Sequence, residues 1–316
     1  MPEVRRLIVI ALGGNAILRK GEKGTVEDQW RNISNASRKI VDLYSRGYSI
    51  IVTHGNGPQV GNLLEWFEAL KHRIPPLTLD IANSMTQGWI GYMLQQEIGN
   101  ELSRRGFGRK VVSIVNQVMV RLSREDFENP SKFVGPYYSF EDAQKLSRER
   151  GWVFKKDPRG GWRRVVPSPE PVANVEIDAI KTLIDSGYIV IASGGGGVPV
   201  YQVDGVLKGV EAVIDKDLAS SILAISLNAE KFVILTDVDG VYRDYGGDSQ
   251  RVIEFLRASE ALEMVSKGVF PMGSMGPKIL AAARYTLATG RTSYIGSLDK
   301  AELVVEGLSG TRITAG

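Results

Sequence analysis

Short apolar runs rich in valine and isoleucine alternate with longer segments of helical spacing along this chain. Runs of strand length occupy residues 6–12, 49–53, 110–115, 189–192, 231–236 and 292–295. Helical spacing occupies residues 27–45, 58–70, 80–104, 176–185, 217–227 and 277–288. Apolar strands separated by helices are typical of a parallel sheet covered on both faces. The sequence therefore predicts an open, mostly parallel α/β sandwich that binds its ligands at the carboxyl ends of the strands.

One stretch, residues 121–169, breaks this alternation. It holds a short helix candidate at residues 140–150, between two charged segments that contain Trp152 and Trp162, and a Pro/Gly turn at residues 158–161. We interpret the stretch as a small insertion that protrudes from the sheet. On composition alone it is as well explained by a loop without a chemical role.

Composition excludes several classes of protein. The 39 basic and 36 acidic residues are spread along all 316 positions, whereas a nucleic-acid-binding protein usually concentrates its basic residues on one face. The chain has no cysteine and two histidines, His54 and His72, which excludes disulfides and thiolate catalysis and leaves little room for a histidine metal site. The first apolar run ends at Gly13, too short for an export signal, and no segment reaches the length of a membrane span. We therefore expect a cytoplasmic protein with no nucleic-acid or membrane partner.

Glycine clusters are predicted at four strand ends. They are Gly13-Gly14-Asn15, Gly55-Asn56-Gly57-Pro58, the run 194–197, and Gly273-Ser274-Met275-Gly276-Pro277-Lys278. Glycine lets the backbone approach a phosphate, and a helix that begins behind it directs free N–H groups at the anion. Neither a P-loop nor the dinucleotide-binding fingerprint occurs, and the kinase motifs H-R-D and D-F-G are missing. The sequence therefore predicts a phosphate site of another kind.

Two lysines occupy positions that oppose the local helix dipole. Lys278 falls in the first turn of a helix, and Lys216 lies between Asp215 and Asp217 at another helix start. An anion bound there would turn this opposition into an attraction. The alternatives are that Lys278 is a solvated surface residue, and that Asp215 is an N-cap paired with Lys216 in solvent. In the functional interpretation, Asp217 holds the lysine ammonium groups while they face phosphate oxygens.

Such a site suits phosphoryl transfer to a small anion. The reaction depends mainly on positioning and on stabilising charge. A carboxylate acceptor is already ionised at neutral pH and needs no general base. Bringing it to ATP costs about 4 kcal/mol for one pair of like charges at 4 Å and an effective dielectric near 20, so several cations must converge.

The ordered motifs GGNAIL, HGNGPQVG, QGWIGYML, PSKFVGP, WRRVVPSP, ASGGGGVPV, GVEAVIDKDLAS, ILTDVDGVY and GSMGPK resemble those of the carbamate kinases, in the amino acid kinase superfamily. The resemblance runs from residue 5 to about residue 313. It implies a phosphotransferase with a carboxyl-group acceptor, which converts ATP and carbamate reversibly to ADP and carbamoyl phosphate with Mg²⁺, as a homodimer in arginine metabolism. It also implies one amino acid kinase-like domain over residues 1–316, with an acceptor-binding lobe at about 1–190 and a nucleotide-binding lobe at about 191–316.

The resemblance also implies roles for matching residues. Lys216 and Lys278 would bridge the phosphates, organised by Asp217, while the insertion would bring Lys132 over the site. The catalytic set is Lys216, Lys278, Asp217, Lys132 and Asn15. The residues around the phosphoryl group and the acceptor are Gly13, Gly14, Gly55, Asn56, Gly194, Gly195 and Gly196. The nucleotide would contact Asp237, Val238, Tyr242, Ser274, Met275 and Gly276.

Two positions depart from the family pattern, Phe133 beside Lys132 and Met272 before Gly273. No protein ligand of the metal is predicted, because phosphate and water often fill most of the shell of Mg²⁺. His54 is interpreted as a turn residue. The face of the third predicted helix that carries Trp89, Tyr92, Met93 and Ile98 is interpreted first as core and second as a dimer surface.

Two alternatives stay open at this point. One is a related kinase with a larger acceptor, such as an acetylated amino acid, aspartate or a nucleoside monophosphate. The other is a nucleotide-binding protein that has lost turnover. The sequence leaves the physiological direction open as well, because ATP production and carbamoyl phosphate synthesis need the same site.

Overall fold

The computed structural model describes residues 6–19, 21–157, 160–247, 249–270 and 274–316. The strands are β1 Arg6–Leu12, β2 Tyr48–His54, β3 Val111–Ser113, β4 Gln117–Arg121, β5 Lys132–Tyr138, β6 Val153–Lys156, β7 Trp162–Val166, β8 Glu170–Asn174, β9 Ile189–Ile191, β10 Val198–Val203, β11 Val206–Gly209, β12 Lys231–Thr236, β13 Tyr242–Arg243, β14 Arg251–Val252, β15 Phe255–Arg257, β16 Ser293–Ser297 and β17 Thr311–Thr314. The helices are α1 Val26–Ser45, α2 Gly57–Leu70, α3 Leu79–Arg104, α4 Arg124–Glu128, α5 Phe140–Arg150, α6 Ile177–Asp185, α7 Lys216–Ser226, α8 Ala258–Ser266, α9 Met275–Thr289 and α10 Ala301–Glu306. Short 3₁₀ turns occupy Gly14–Ala16, Gly194–Gly196 and Leu298–Lys300.

The central sheet has eight strands in the order β15-β17-β16-β12-β1-β2-β9-β3. The six strands from β16 to β3 are parallel, and β17 pairs with β16 in the antiparallel direction. All six predicted strands and all six predicted helices are present, and none of their ends differs from the prediction by more than two residues. The predicted strand at residues 110–115 is shorter, and covers Val111–Ser113.

Helices cover both faces of this sheet, as β1 illustrates. Ile8 and Ile10 pack into a core with α1, α3 and α10, while Val9 and Ala11 pack into a second core with α6, α7, α8 and α9. Because successive side chains of a strand point to opposite faces, a strand covered on both sides must be apolar at every position. The predicted α/β sandwich is confirmed.

The insertion forms a separate three-stranded antiparallel sheet, in the order β5-β7-β6. The predicted helix at residues 140–150 is α5, which begins after the N-cap Ser139 and ends at Gly151 in the left-handed conformation. The insertion contacts α2 at two glycines, since a Cβ atom added to Gly61 would lie 2.0 Å from the Cα of Gly135. The predicted turn at residues 158–161 lies partly outside the described residues, at Pro158 and Arg159.

A second sheet, in the order β11-β10-β4-β8, was not predicted, and neither were α4, α8, α10 and the strands β13, β14, β15 and β17. The strands of the second sheet mix polar residues and proline with their apolar ones, as in the sequence EPVAN of β8. They consequently lack the apolar run that identified the central strands.

Candidate active site

Three glycine loops meet at the carboxyl edge of the central sheet. Gly13 and Gly14 follow β1, Gly55 and Asn56 follow β2, and Gly194–Gly196 follows β9. These three strands are neighbours in the sheet, so the loops lie side by side. The fourth cluster was wrongly predicted to follow a strand, since residues 267–270 contain none and Ser274 precedes α9 directly. Gly273 and Met272 lie outside the described residues, and so does the side chain of Asn15.

The loop of Gly194–Gly196 approaches its neighbours more closely than a side chain would allow. A Cβ atom on Gly194 would lie 2.5 Å from Nε2 of His54, and one on Gly195 would lie 2.2 Å from Nδ2 of Asn56. Gly195 also has a φ of +66°, which residues with a side chain rarely adopt. Glycine is therefore required here for both space and backbone conformation.

Asp217 binds both of the predicted lysines. Its Oδ1 accepts from Nζ of Lys216 at 2.6 Å, and its Oδ2 accepts from Nζ of Lys278 at 2.8 Å. Lys216 is 7% exposed and Asp217 3%, so the three charges are shielded from solvent. The structure thus contradicts the two alternatives in which Lys278 is solvated and Lys216 pairs with Asp215.

The capped first turn of α7 positions two members of this cluster. Asp215 is the N-cap, and its Oδ1 accepts from the backbone N–H groups of Asp217 and Leu218 at 2.9 and 3.3 Å. The cap fixes the first turn, which directs Lys216 and Asp217 inward. Lys278 arrives from the first turn of α9, which packs against the same face of the sheet as α7.

Burial and charge shift the three pKa values in different directions. Burial raises the pKa of Asp217, but the ammonium groups of Lys216 and Lys278 outweigh it, and the net pKa lies well below its usual range. Burial and the nearby charge of Lys278 lower the pKa of Lys216 to about 8, although the attraction of Asp217 opposes them. For Lys278 the attraction of Asp217 outweighs burial, and its pKa is raised.

Lys132, the first residue of β5, reaches the same helix start. Its Nζ donates to Oδ2 of Asp215 at 2.7 Å, while Oδ1 of the same carboxylate caps α7. The insertion is thereby linked to the cluster. Phe133, which departs from the family pattern, lies beside the guanidinium of Arg163 at 5.8 Å.

The predicted nucleotide residues lie beyond β12 and at the start of α9. Asp237 follows β12, accepts a hydrogen bond from Oγ1 of Thr236 at 3.1 Å, and is close enough to raise the pKa of Lys278. Val238 follows Asp237, and Tyr242 begins β13, where its ring lies 5.6 Å from that of Tyr245. Ser274 is the residue before α9, and Met275 and Gly276 begin that helix.

Comparison with known proteins identifies the family. Residues 6–297 match the amino acid kinase family. A carbamate kinase of Pyrococcus furiosus is 48% identical over 97% of this chain and 98% of its own length, and one of Haemophilus influenzae is 43% identical over 97% and 96%. The chain belongs to the amino acid kinase family, in its carbamate kinase branch.

Solved carbamate kinases share the whole fold. The enzyme of Giardia lamblia bound to citric acid is 40% identical, with a TM-score of 0.93 over 98% of this chain and 99% of that one. Its structure bound to AMP-PNP gives a TM-score of 0.89 at the same identity. In contrast, an N-acetylglutamate synthase of Neisseria gonorrhoeae is 17% identical with a TM-score of 0.54, which shows a common fold alone.

Sequence reasoning missed three polar residues of α3 that lie behind the glycine loops of this carbamate kinase site. Asn83 and Thr86 accept hydrogen bonds from Nδ2 of Asn56, at 3.0 and 2.8 Å, and Gln87 donates to the backbone oxygen of Gly194 at 3.2 Å. The available signal was polar residues at spacings of three and four on a helix face that is otherwise buried.

His54 is buried at 1% exposure, and Nδ1 lies 3.0 Å from the backbone oxygen of Gly55. Burial lowers its pKa to about 4, so the imidazole is neutral at physiological pH. His54 is the last residue of β2 rather than a turn residue, and its neutral ring has no charge to contribute to this family's chemistry.

The described residues offer neither a cluster of metal ligands nor a membrane-spanning helix. They contain no group of three or more His, Cys, Asp or Glu side chains that could hold a metal ion. None of the helices in the described part of the chain is long and apolar enough to cross a membrane.

Proposed function

We propose that this protein catalyses the reversible transfer of the γ-phosphoryl group of ATP to carbamate, giving ADP and carbamoyl phosphate. The observation that carries the proposal is the buried cluster of Lys216, Asp217 and Lys278, which lies where three glycine loops meet. Identity of 48% with a carbamate kinase over almost the full chain supports the choice of acceptor.

In the forward reaction an oxygen of carbamate attacks the γ-phosphorus. The bond from that phosphorus to the oxygen shared with the β-phosphate breaks, and ADP leaves with the electron pair. The attacking oxygen is already ionised, so no side chain has to remove a proton. This agrees with a site in which His54 is buried and neutral.

The lysines lower the barrier by offsetting charge. Carbamate and the γ-phosphate repel each other, and negative charge spreads over the equatorial oxygens in the transition state. We assign Lys216 and Lys278 to these oxygens, with Asp217 as the positioning residue that holds both ammonium groups. Because the cluster is buried, these charges act at a lower effective dielectric than in water.

The glycine loops would supply backbone N–H groups to the same anions. We assign Gly13, Gly14 and Asn15 to the phosphoryl group, Gly55 and Asn56 to carbamate, and Gly194–Gly196 to the reaction centre between them. The nucleotide would lie against Asp237, Val238, Tyr242, Ser274, Met275 and Gly276. On this basis residues 1–190 form the acceptor lobe and residues 191–316 the nucleotide lobe.

Lys132 supports a lid role for the insertion, since it reaches Asp215 from β5. We propose that the ammonium group turns from Asp215 to the anionic ligands when they bind, and that the insertion then excludes water from the site. A closed lid leaves room for a small acceptor and argues against a large one.

A kinase that acts on ATP uses a divalent metal, and we propose Mg²⁺. Both carboxylate oxygens of Asp217 are engaged by lysines, and Oδ1 of Asp215 is engaged by backbone N–H groups. Those two side chains thus fit a site in which phosphate oxygens and water supply most of the metal's shell. When bound, the metal would neutralise charge on the β- and γ-phosphates.

We further propose a homodimer in the cytoplasm. Met93 and Ile98 are buried in the core, but Tyr92 on α3 and Trp66 on α2 are 57% and 54% exposed. Ile81 and Met85 continue this exposed apolar face along α3, which makes it the candidate dimer surface. Sedimentation equilibrium of the wild type and of the Tyr92→Glu variant tests the assignment, and two dimers of equal stability would exclude this face.

The reverse reaction provides the direct test of function. ATP formed from ADP and carbamoyl phosphate is measured in a coupled assay, alongside a panel with acetylglutamate, aspartate and uridylate as acceptors for ATP. We expect turnover with carbamoyl phosphate and little with the panel. Folded protein that makes no ATP would falsify the proposal, and a preference for a panel member would move it to a related kinase.

A further inference from the structure

Asn56 lies in the loop after β2, which we assign to carbamate, and its side-chain amide is almost fully enclosed. The side chain is 3% exposed, and Gly195 packs so closely that an added Cβ would lie 2.5 Å from its Cγ. An amide in such a site has two different ends, an acceptor oxygen and a donor nitrogen. The end that faces the bound carbamate decides whether a hydrogen-bond donor or a hydrogen-bond acceptor can bind there.

The neighbours on α3 settle this orientation by a chain of fixed donors. Asn83 lies 2.8 Å from the backbone oxygen of Ala212, and because a carbonyl only accepts, Asn83 must direct Nδ2 to it. Oδ1 of Asn83 then faces Asn56 at 3.0 Å and requires a donor from it. Asn56 therefore turns Nδ2 toward α3.

Thr86 engages the second hydrogen of that nitrogen. Its hydroxyl donates to the backbone oxygen of Asn83 at 2.7 Å, which leaves its lone pairs for Nδ2 of Asn56 at 2.8 Å. Both hydrogens of Asn56 Nδ2 are thus committed to α3. Its Oδ1 is directed away from these partners and accepts no hydrogen bond within the ranges that the structure describes.

We propose that Asn83 and Thr86 are positioning residues, which hold Asn56 so that Oδ1 accepts an N–H from the small acceptor and thereby selects an amine over a methyl group. The inference rests on the proposed function and deepens it. Carbamate and acetate have the same shape and charge, but carbamate carries N–H donors where acetate carries a methyl group. With a methyl group opposite, Oδ1 of Asn56 would be desolvated without gaining a partner.

The test compares two phosphoryl donors to ADP that differ at this position alone, carbamoyl phosphate and acetyl phosphate. The readout is the ratio of their kcat/KM values. If turnover of acetyl phosphate is below detection, the ratio of the KM for carbamoyl phosphate to the Ki of acetyl phosphate takes its place. General damage to the site lowers the kcat/KM values of both phosphoryl donors together, whereas loss of amine recognition changes the ratio of the two values.

We expect Asn83→Leu to lower the selectivity for carbamoyl phosphate roughly 10- to 100-fold, because Asn56 can then turn either end to the ligand. Thr86→Val, which keeps the shape but removes the hydroxyl, should lower it a few-fold. Thr86→Ser restores the hydroxyl and should restore the ratio. Ser84→Ala is the matched control on the same helix, since Oγ of Ser84 donates to the backbone oxygen of Ile81.

An unchanged ratio in both Asn83→Leu and Thr86→Val would overturn the inference and leave the proposed function standing. If Asn83→Leu does not fold, the comparison of Thr86→Val with Thr86→Ser decides alone. Wild-type protein that makes no ATP from carbamoyl phosphate would instead overturn the proposed function, and this inference with it.

Discussion

Asp215 and Asp217 lie two positions apart at the start of α7, and each binds lysine, but the two sites differ in what surrounds them. Asp217 joins Lys216 and Lys278, which come from helices of the main sandwich, and its side chain is 4% exposed. Asp215 joins Lys132 of the insertion, where the lysine is 28% exposed. The first site is built into the core, and the second connects the core to a peripheral sheet.

This difference teaches how one helix start can serve two purposes. A buried ion pair that loses one partner leaves an uncompensated charge. Separating its two members is therefore costly, and the pair keeps one geometry. A partly exposed pair can exchange its partner for water or for a ligand at little cost. We therefore expect the Asp217 site to determine the chemical step and the Asp215 site to determine closure over the ligands.

The largest effect on stability and turnover is expected when the charge of Asp217 is removed. In Asp217→Asn the two lysines repel each other without their shared partner, and we expect a loss of about 3–5 kcal/mol in the free energy of unfolding, together with the loss of turnover. Urea denaturation measures the first and the coupled assay the second. Glu263→Gln, which breaks an exposed pair with Lys267, is the control and should change neither. A fully stable Asp217→Asn protein would contradict the role of this carboxylate as the shared partner that stabilises both buried lysines.

Removing one lysine of the buried site should affect the rate rather than the fold. We expect Lys278→Met to lower kcat roughly 10²–10³-fold, the range seen when one preorganised donor to the transition state is lost. The methionine retains the apolar stem, and Asp217 keeps Lys216 as its partner, so no buried charge is left uncompensated and thermal unfolding should be nearly unchanged. Lys267→Met is the surface control. A stable Lys278→Met variant with the wild-type rate would remove this lysine from the mechanism.

Removing the lysine of the insertion should have a smaller effect, mainly on binding. A hydrogen bond to a charged group contributes roughly 1.5–3 kcal/mol, and at the lower end Lys132→Met would raise the KM for carbamoyl phosphate about tenfold. Steady-state kinetics separate KM from kcat. The comparison between the two sites would fail if kcat fell as far as in Lys278→Met.

The smallest effect is one of pH. Below a pKa of about 8, Lys216 is protonated in the free protein, and the affinity for ADP should be constant. Above it the free lysine loses its proton, while bound phosphate favours the charged form. Binding then requires proton uptake, and the affinity should fall by up to about tenfold per pH unit. Calorimetry between pH 7 and 8.5, over which the affinity should fall about fourfold, measures the change, and Lys216→Arg should abolish it because arginine stays charged.

The sequence predicted the central sheet well, because strands buried on both faces must be apolar throughout and this pattern is local. It predicted α5 at residues 140–150, and the structure shows Ser139 and Gly151 capping the two ends of this helix. It did not predict β8, whose five residues include Pro171 and alternate irregularly. A strand of that kind is stabilised by its partners in the sheet more than by its own composition.

The sequence likewise predicted some residues of the candidate site and missed others. Glycine loops and lysines at helix starts are visible in short motifs, so the sequence predicts Lys216, Asp217 and Lys278 without their contacts. Asn83 and Thr86 were not named, because their partner Asn56 lies 27 and 30 positions away and nothing in the intervening sequence indicates the contact. Their importance follows only from the direction of each hydrogen bond.

The contact between Gly61 and Gly135 gives the insertion a pivot. The backbones of α2 and β5 meet there without side chains between them, and Lys132 lies on the same strand as Gly135. An alanine at position 61 would act as a wedge, forcing β5 outward and moving the ammonium group away from its carboxylate. A single methyl group at this contact would in this way weaken substrate capture without altering any group that we assign to the substrate.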